Sequence, residues 1–246
     1  MGISRFAAKK RITPNQLQNK KDSSYNVVLI TSKIYISSTA YRHLNYRSIY
    51  TPKERFQQNL KTIKSIKQYI PNYYIVLFDN SIFTNEERKI LTDETDLFIN
   101  IVDNENLNHF TDKSVNKSYG EIAQTYHALR YIQKLDIKNF FKITGRYQVN
   151  QNFDYSKFNN EYNIFKKLTI WWAKNACYTC FYKISQNNIK DYINVFNELY
   201  LEIQSGDEIY YDVSFEDIFP NRIEYKLIDT LGVIENIGIE YDINYI

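Results

Sequence analysis

The segment FFKITGRYQVN, residues 140–150, is an apolar strand pattern that ends on Gly145, Arg146 and Tyr147. Ligands of open α/β sheets sit just beyond the carboxyl ends of the strands. A guanidinium delivered there offers a planar fork of donors to phosphate or carboxylate oxygens. Gly145 lets main chain and ligand approach closely, and Tyr147 brings a ring for stacking or a phenol for a hydrogen bond. Lys142, on the same strand, is a second cation. Lys117 stands before Ser118-Tyr119-Gly120-Glu121, which has the spacing of a capping box, and a helix N-terminus attracts anions through its free N–H groups and its dipole. Ser118 and Glu121 are accounted for by the box itself, which leaves Lys117 as the anion-binding candidate. Glu216 and Asp217, in SFEDIFP, are adjacent carboxylates at a helix start. Neighbours on a helix point about 100° apart, so one of the two faces any given cleft, and a carboxylate takes a proton only from a hydroxyl within hydrogen-bond reach.

Other chemistries lack their parts. The chain has no GxGxxG, GxxxxGK[ST] or HExxH, and its three histidines, His43, His109 and His127, fall in unrelated segments. Cys177 and Cys180 have CxxC spacing, but strand residues three apart point to opposite faces, so both are expected as core thiols in a reducing compartment. Trp171 and Trp172 are adjacent in an extended segment, so at most one can face an acceptor, and both are expected in the core. With 43% hydrophobic and 24% charged residues the composition is that of a soluble globule; no run of 18 apolar residues occurs, and a cytoplasmic protein without a membrane span is expected. The formal charge is +3, yet six Lys/Arg and no acid precede Asp22, so residues 1–24 are read as a basic, solvated arm. The body beyond it is near neutral, which argues against a nucleic-acid partner.

These candidates must be positioned by strands and helices in alternation. Residues 26–32, NVVLITS, form a strand pattern. Thr51-Pro52-Lys53-Glu54 opens a helix with an N-cap, a proline at the first position and a closing Glu; Phe56, Leu60, Ile63, Ile66 and Ile70 follow at helical spacing until Pro71. Residues 73–79 are the next strand, Thr84-Asn85-Glu86-Glu87 opens a short helix, and 96–101 are a third strand. After the box at Ser118, Ile122, Tyr126, Leu129 and Ile132 share a helix face ahead of the FFKIT strand. This rhythm implies parallel strands with helical crossovers. Residues 167–173 and 177–185 then read as strands, 186–203 as a helix, and 222–228 and 232–239 as late strands. The order suggests a nucleotide-binding half followed by a mixed half for a second substrate.

Arg47 together with TPKERFQQNLKTIKSIKQYIPNYYIVLFDNS, and then KSYGEIAQ, FKITGRY, CFYKI and SFEDIF, resembles a family of glycosyltransferases of large DNA viruses, phages and bacteria, over about residues 25–240. The resemblance implies one α/β domain over residues 25–246, with a GT-A-like, Rossmann-type mixed sheet flanked by helices. It also implies transfer of a sugar from a nucleotide-sugar donor to a glycan or other hydroxyl acceptor. GT-A enzymes usually end the corresponding strand in Asp-x-Asp, which holds a divalent metal against the diphosphate; this chain has no Asp-x-Asp and reads Gly145-Arg146-Tyr147 there. The expectation is that no metal or cofactor is bound and that Arg146, helped by Lys142 or Lys117, neutralises the leaving diphosphate. Glu216 or Asp217 is expected as base in an inverting displacement. Thr31, Ser32, Arg47, Arg55, Asp79 and Ser81 are expected around the donor nucleotide. A catalytically inactive GT-A-like scaffold is the alternative, since loss of Asp-x-Asp is also what decay of a metal site looks like.

Overall fold

The computed structural model describes residues 7–9, 24–41, 45–168, 176–206 and 222–234. A central sheet carries the strands in the order β1-β4-β3-β2-β5-β8-β7-β9. They are β1 (Ala7–Lys9), β2 (Tyr25–Ser32), β3 (Tyr73–Asp79), β4 (Leu97–Asn100), β5 (Ile137–Thr144), β7 (Ile164–Phe165), β8 (Phe181–Ser185) and β9 (Lys226–Leu227). β2 is parallel to both β3 and β5, and β3 is parallel to β4, as the alternating pattern requires. β8 turns antiparallel to β5 and begins the mixed half. β6 (Gln148–Val149) and β10 (Val233–Ile234) form a separate two-stranded ribbon.

The central strands are buried on both faces, and the alternation of side chains divides the core in two. Val27, Leu29, Val76, Phe78 and Phe140 face one cluster, and Val28, Ile30, Ile75, Leu77, Phe141 and Ile143 face the other. The second face is covered by α1 (Pro52–Tyr69), through Phe56, Ile63 and Ile66, and by α2 (Asn85–Glu94), through Leu91. The first is covered by α4 (Lys117–Ile132) and α5 (Ile189–Ser205), through Ile122, Leu129, Phe196 and Leu199. A short α3 (Glu105–Asn108) and a π-turn at His109–Lys113 lead into α4. Both capping boxes read at Thr51 and Thr84 are present, each with reciprocal side-chain and backbone bonds.

Several readings change. The helix expected to open at Ser118 begins at Lys117 with Asn116 in the cap position, and Asn116 makes no side-chain capping bond. Ser118 is buried inside the first turn, and Glu121 turns to Lys142 instead of back to the helix terminus. Residues 177–180 are not part of a regular strand: β8 starts at Phe181, and Cys177 makes only an isolated bridge to Lys167. Cys177 and Cys180 are buried on opposite faces of the sheet. Of residues 222–228 only Lys226–Leu227 form a strand, paired with the two-residue β7; Val233–Ile234 pair with β6, and residues 235–239 lie outside the described residues. Within the basic N-terminal segment, Ala7–Lys9 pair antiparallel with β4 at the sheet edge. Trp171 and Trp172 lie outside the described residues.

Candidate functional site

α1 and α4 both begin at the carboxyl end of the parallel strands, because each crossover helix must return the chain to the opposite edge. Their first turns and the ends of β2 and β5 enclose a cleft of about 600 Å³, its open mouth included. Thr31, Ser32, Arg47, Arg55, Lys117, Gly145 and Arg146, all expected on sequence, line it. So do Lys33, Tyr41, Phe110, Thr111, Gly120, Glu121, Gln124 and Thr144. Lys33 follows a strand end and was open to the same reasoning that named Thr31 and Ser32. Tyr41, Phe110 and Thr111 come from connections with no periodic signal.

The cleft is strongly cationic. Among the described residues that line it, five are Lys or Arg and Glu121 is the one carboxylate. Arg55, in the first turn of α1, donates from Nε and Nη2 to the Lys33 carbonyl at 2.9 and 2.5 Å and from Nη1 to Ser48 Oγ at 3.2 Å. Arg47 donates from Nε to the Thr39 carbonyl at 2.5 Å, from Nη1 to Thr111 O at 3.0 Å and from Nη2 to Ser114 O, with its guanidinium 4.6 Å from the Tyr41 ring centroid. Among the described residues no carboxylate pairs with either arginine. Both guanidiniums therefore brace loops and add positive charge to the wall, with Asp79 acting on Arg55 from the buried side. Burial, and then the neighbouring charge of Arg146, push the Arg55 guanidinium down to about 9, which leaves it charged at neutral pH. The Lys33 ammonium lies 3.0 Å from Asp112.

Four other expected donor contacts sit elsewhere. Asp79 is fully buried and accepts from the Ile34 N–H at 3.0 Å and the Ser81 N–H at 2.6 Å; burial raises its pKa. Ser81 Oγ accepts from the Tyr35 N–H at 2.9 Å. These two residues therefore fix the loop after β2 and do not line the cleft. Tyr147 packs against the α1-side core, and its carbonyl accepts from Thr62 at 2.8 Å, because the chain after Gly145 runs back along α1. Lys142 shares the face of Phe140 and is completely buried; its ammonium pairs with Glu121 and donates to Thr144 Oγ1 and the Thr179 carbonyl at 3.0 Å each. Gly145 does line the cleft, but the space of its missing Cβ is taken by Asn59: an added Cβ would stand 3.0 Å from Asn59 Cγ and closer still to Oδ1. Glu216 and Asp217 lie outside the described residues.

Among solved structures, the chain is similar to the apo form of the glycosyltransferase GlyE of Streptococcus pneumoniae TIGR4. The TM-score is 0.50 at 9% identity, over 84% of this chain and 46% of GlyE. The fold is of GT-A type. The chain also matches the galactosyltransferase LgtC in complex with donor and acceptor sugar analogs, with a TM-score of 0.48, 10% identity and coverage of 80% and 70%. A third match is the 4-diphosphocytidyl-2C-methyl-D-erythritol synthase of Anaerococcus prevotii DSM 20548, with a TM-score of 0.46, 9% identity and coverage of 89% and 92%. The chain thus spans about half the length of GlyE. No family profile and no curated protein sequence matches it. No helix among the described residues is long and apolar enough to cross a membrane.

At the end of β5, Thr144, Gly145 and Arg146 enter the cleft. Glu121, the one carboxylate among the described residues of its lining, is tied to an ammonium, and among the described residues no three His, Cys, Asp or Glu side chains gather in a group able to hold a metal. The described lining carries more cations than acids, a composition that attracts anions.

Proposed function

We propose that the chain is a glycosyltransferase that moves a sugar from a nucleotide-sugar donor to an acceptor hydroxyl, with protein cations in place of a metal. The observation that carries this reading is the meeting of Arg55 and Arg146 in one cleft at the carboxyl ends of β2 and β5, with no carboxylate paired to Arg55. Guanidiniums gathered in a partly water-excluded wall favour a bound anion. A diphosphate is such an anion, and the negative charge on its bridging oxygen grows as the bond to the anomeric carbon breaks. Fixed cations aimed there stabilise the transition state more than the ground state.

In the reaction the acceptor oxygen bonds to the anomeric carbon, the bond to the diphosphate oxygen breaks, and the acceptor proton passes to a carboxylate. Glu216 or Asp217 is proposed for that proton, in an inverting displacement. Arg47 serves to hold the connections around the cleft, through carbonyls of Thr39, Thr111 and Ser114. Ser32 and Gln124 join the two walls: Gln124 Nε2 donates to the Ser32 carbonyl at 2.5 Å.

The test is a thermal-shift and turnover panel of nucleotide sugars on the wild type and on Arg146→Ala. Selective stabilisation by one nucleotide class is expected, with turnover in the variant reduced about 100-fold or more. Unchanged turnover removes Arg146 from the mechanism. Silence across the panel supports an inert scaffold instead, and loss of wild-type activity on adding a chelator contradicts the metal-free reading.

A further inference from the structure

Glu121 stands on the first turns of α4 as the one carboxylate among the described residues that line the cleft. Local sequence explains it as half of a capping box, but the structure gives it another partner. Its Oε1 is held by the Lys142 ammonium, which is itself fixed by Thr144 Oγ1 and the Thr179 carbonyl. Lys142 is 0% exposed, whereas the Glu121 side chain keeps 20% of its surface. The second carboxylate oxygen accepts no hydrogen bond from the described residues, and it is not among their buried atoms that lack a partner. One oxygen is thus anchored and the other is presented to the cleft.

A buried ion pair costs several kcal/mol of desolvation and is weak evidence for stability. Burying a lysine only to present a carboxylate therefore points to a ligand. The chemistry of that ligand follows from the wall. Its main body must be anionic to sit beside Arg55, yet the part beside Glu121 must donate hydrogen bonds without carrying negative charge. A free ammonium would be repelled by the cations. A hydroxyl meets both conditions.

We infer that Glu121, positioned by Lys142, binds a hydroxyl of the transferred sugar and selects a neutral hexose over an anionic one. This rests on the nucleotide-sugar reading of the cleft. Glu121 acts as an acceptor of a charge-assisted hydrogen bond. Lys142 does not touch the ligand; it holds the carboxylate in place.

The experiment uses calorimetry with UDP, GDP, ADP and dTDP, each alone and as its neutral hexose ester, and with UDP-glucuronate. Glu121→Gln is the chosen variant, because its amide oxygen can still accept from Lys142 while its NH2 replaces the free acceptor with a donor. For whichever nucleotide binds, Glu121→Gln is expected to shift the ratio of sugar-ester to bare-diphosphate affinity about tenfold or more towards the bare diphosphate. Affinity for the diphosphate itself should stay equal or rise, since a negative charge has left the wall. Wild type should reject the hexuronate ester, and the variant should accept it more readily. Lys142→Met should reproduce the ratio shift, and Lys142→Arg should restore part of it; a cooperative melt verifies that each variant is folded. An unchanged ratio in folded Glu121→Gln, or tighter wild-type binding of the hexuronate than of the neutral hexose, overturns the role of Glu121 while the cleft remains a nucleotide site. Failure of every nucleotide and ester to bind overturns both readings together.

Discussion

Gly145→Ala isolates the contact on which the geometry of Arg146 rests. Gly145 is buried and does not have positive φ, so alanine meets no backbone barrier there, and any penalty comes from contact. The new Cβ would press on Asn59, whose amide cannot retreat cheaply: its Nδ2 donates to Ser32 Oγ at 2.9 Å and to the Arg55 carbonyl at 3.0 Å. The glycine is also pinned, with its N–H on the Thr31 carbonyl at 3.0 Å. Overpacking of this kind costs about 1–3 kcal/mol, and displacement of Asn59 forfeits roughly 1 kcal/mol more for a lost hydrogen bond. Against this, Gly→Ala gains about 0.4–1 kcal/mol by stiffening the unfolded chain. The expected net loss is about 2–3 kcal/mol, read by urea or thermal unfolding as a drop of roughly 4–12 °C in a chain of this size. The cycle with Asn59→Ala decides the cause. In that background the obstacle is gone, and Gly145→Ala should cost under about 0.5 kcal/mol, a coupling of 1–3 kcal/mol. Additivity within about 0.5 kcal/mol would refute the reasoning, because Asn59 would then not be what the glycine accommodates.

Two further predictions concern stability. Burial, and then the charge of Arg130, push His127 down to about 4, whereas the unfolded chain titrates near 6.5. Between those values the unfolded state binds the proton and the folded state does not, so stability should fall as pH drops from 6.5 towards 4, by roughly 3 kcal/mol in full below that window. Urea titrations from pH 7 to 4 should show the slope in wild type and its loss in His127→Phe; an equal slope in both would assign the effect elsewhere. Thr51→Ala and Thr84→Ala each remove one side of a formed capping box and should each cost about 1 kcal/mol by denaturant unfolding, against no change if the helices are held by packing alone.

The parallel strands and crossover helices were legible along the chain because their signals are local. Thr51 and Thr84 cap their own helices, and the apolar run of β3 ends within the residues that read as strand. The carboxyl-end rule pointed to Thr31, Ser32, Gly145 and Arg146, and the helix start pointed to Lys117; the fold brings all five to one cleft. What the sequence does not carry is direction beyond the strand end and competition between partners. Glu121 has two claimants, a helix N–H three residues away and an ammonium on another strand, and only the packing of α4 on β5 lets the lysine win. For the same reason Lys142 and Tyr147 read as site residues, but burial turns one into an anchor and the return of the chain along α1 takes the other into the core. Asp79 and Ser81 sit at a strand end like Thr31, yet the loop after β2 folds over them and takes their hydrogen bonds. Local pattern determined which elements form and in what order; long-range contact decided which charged groups face the cleft, because burial and pairing are properties of residues far apart in the chain.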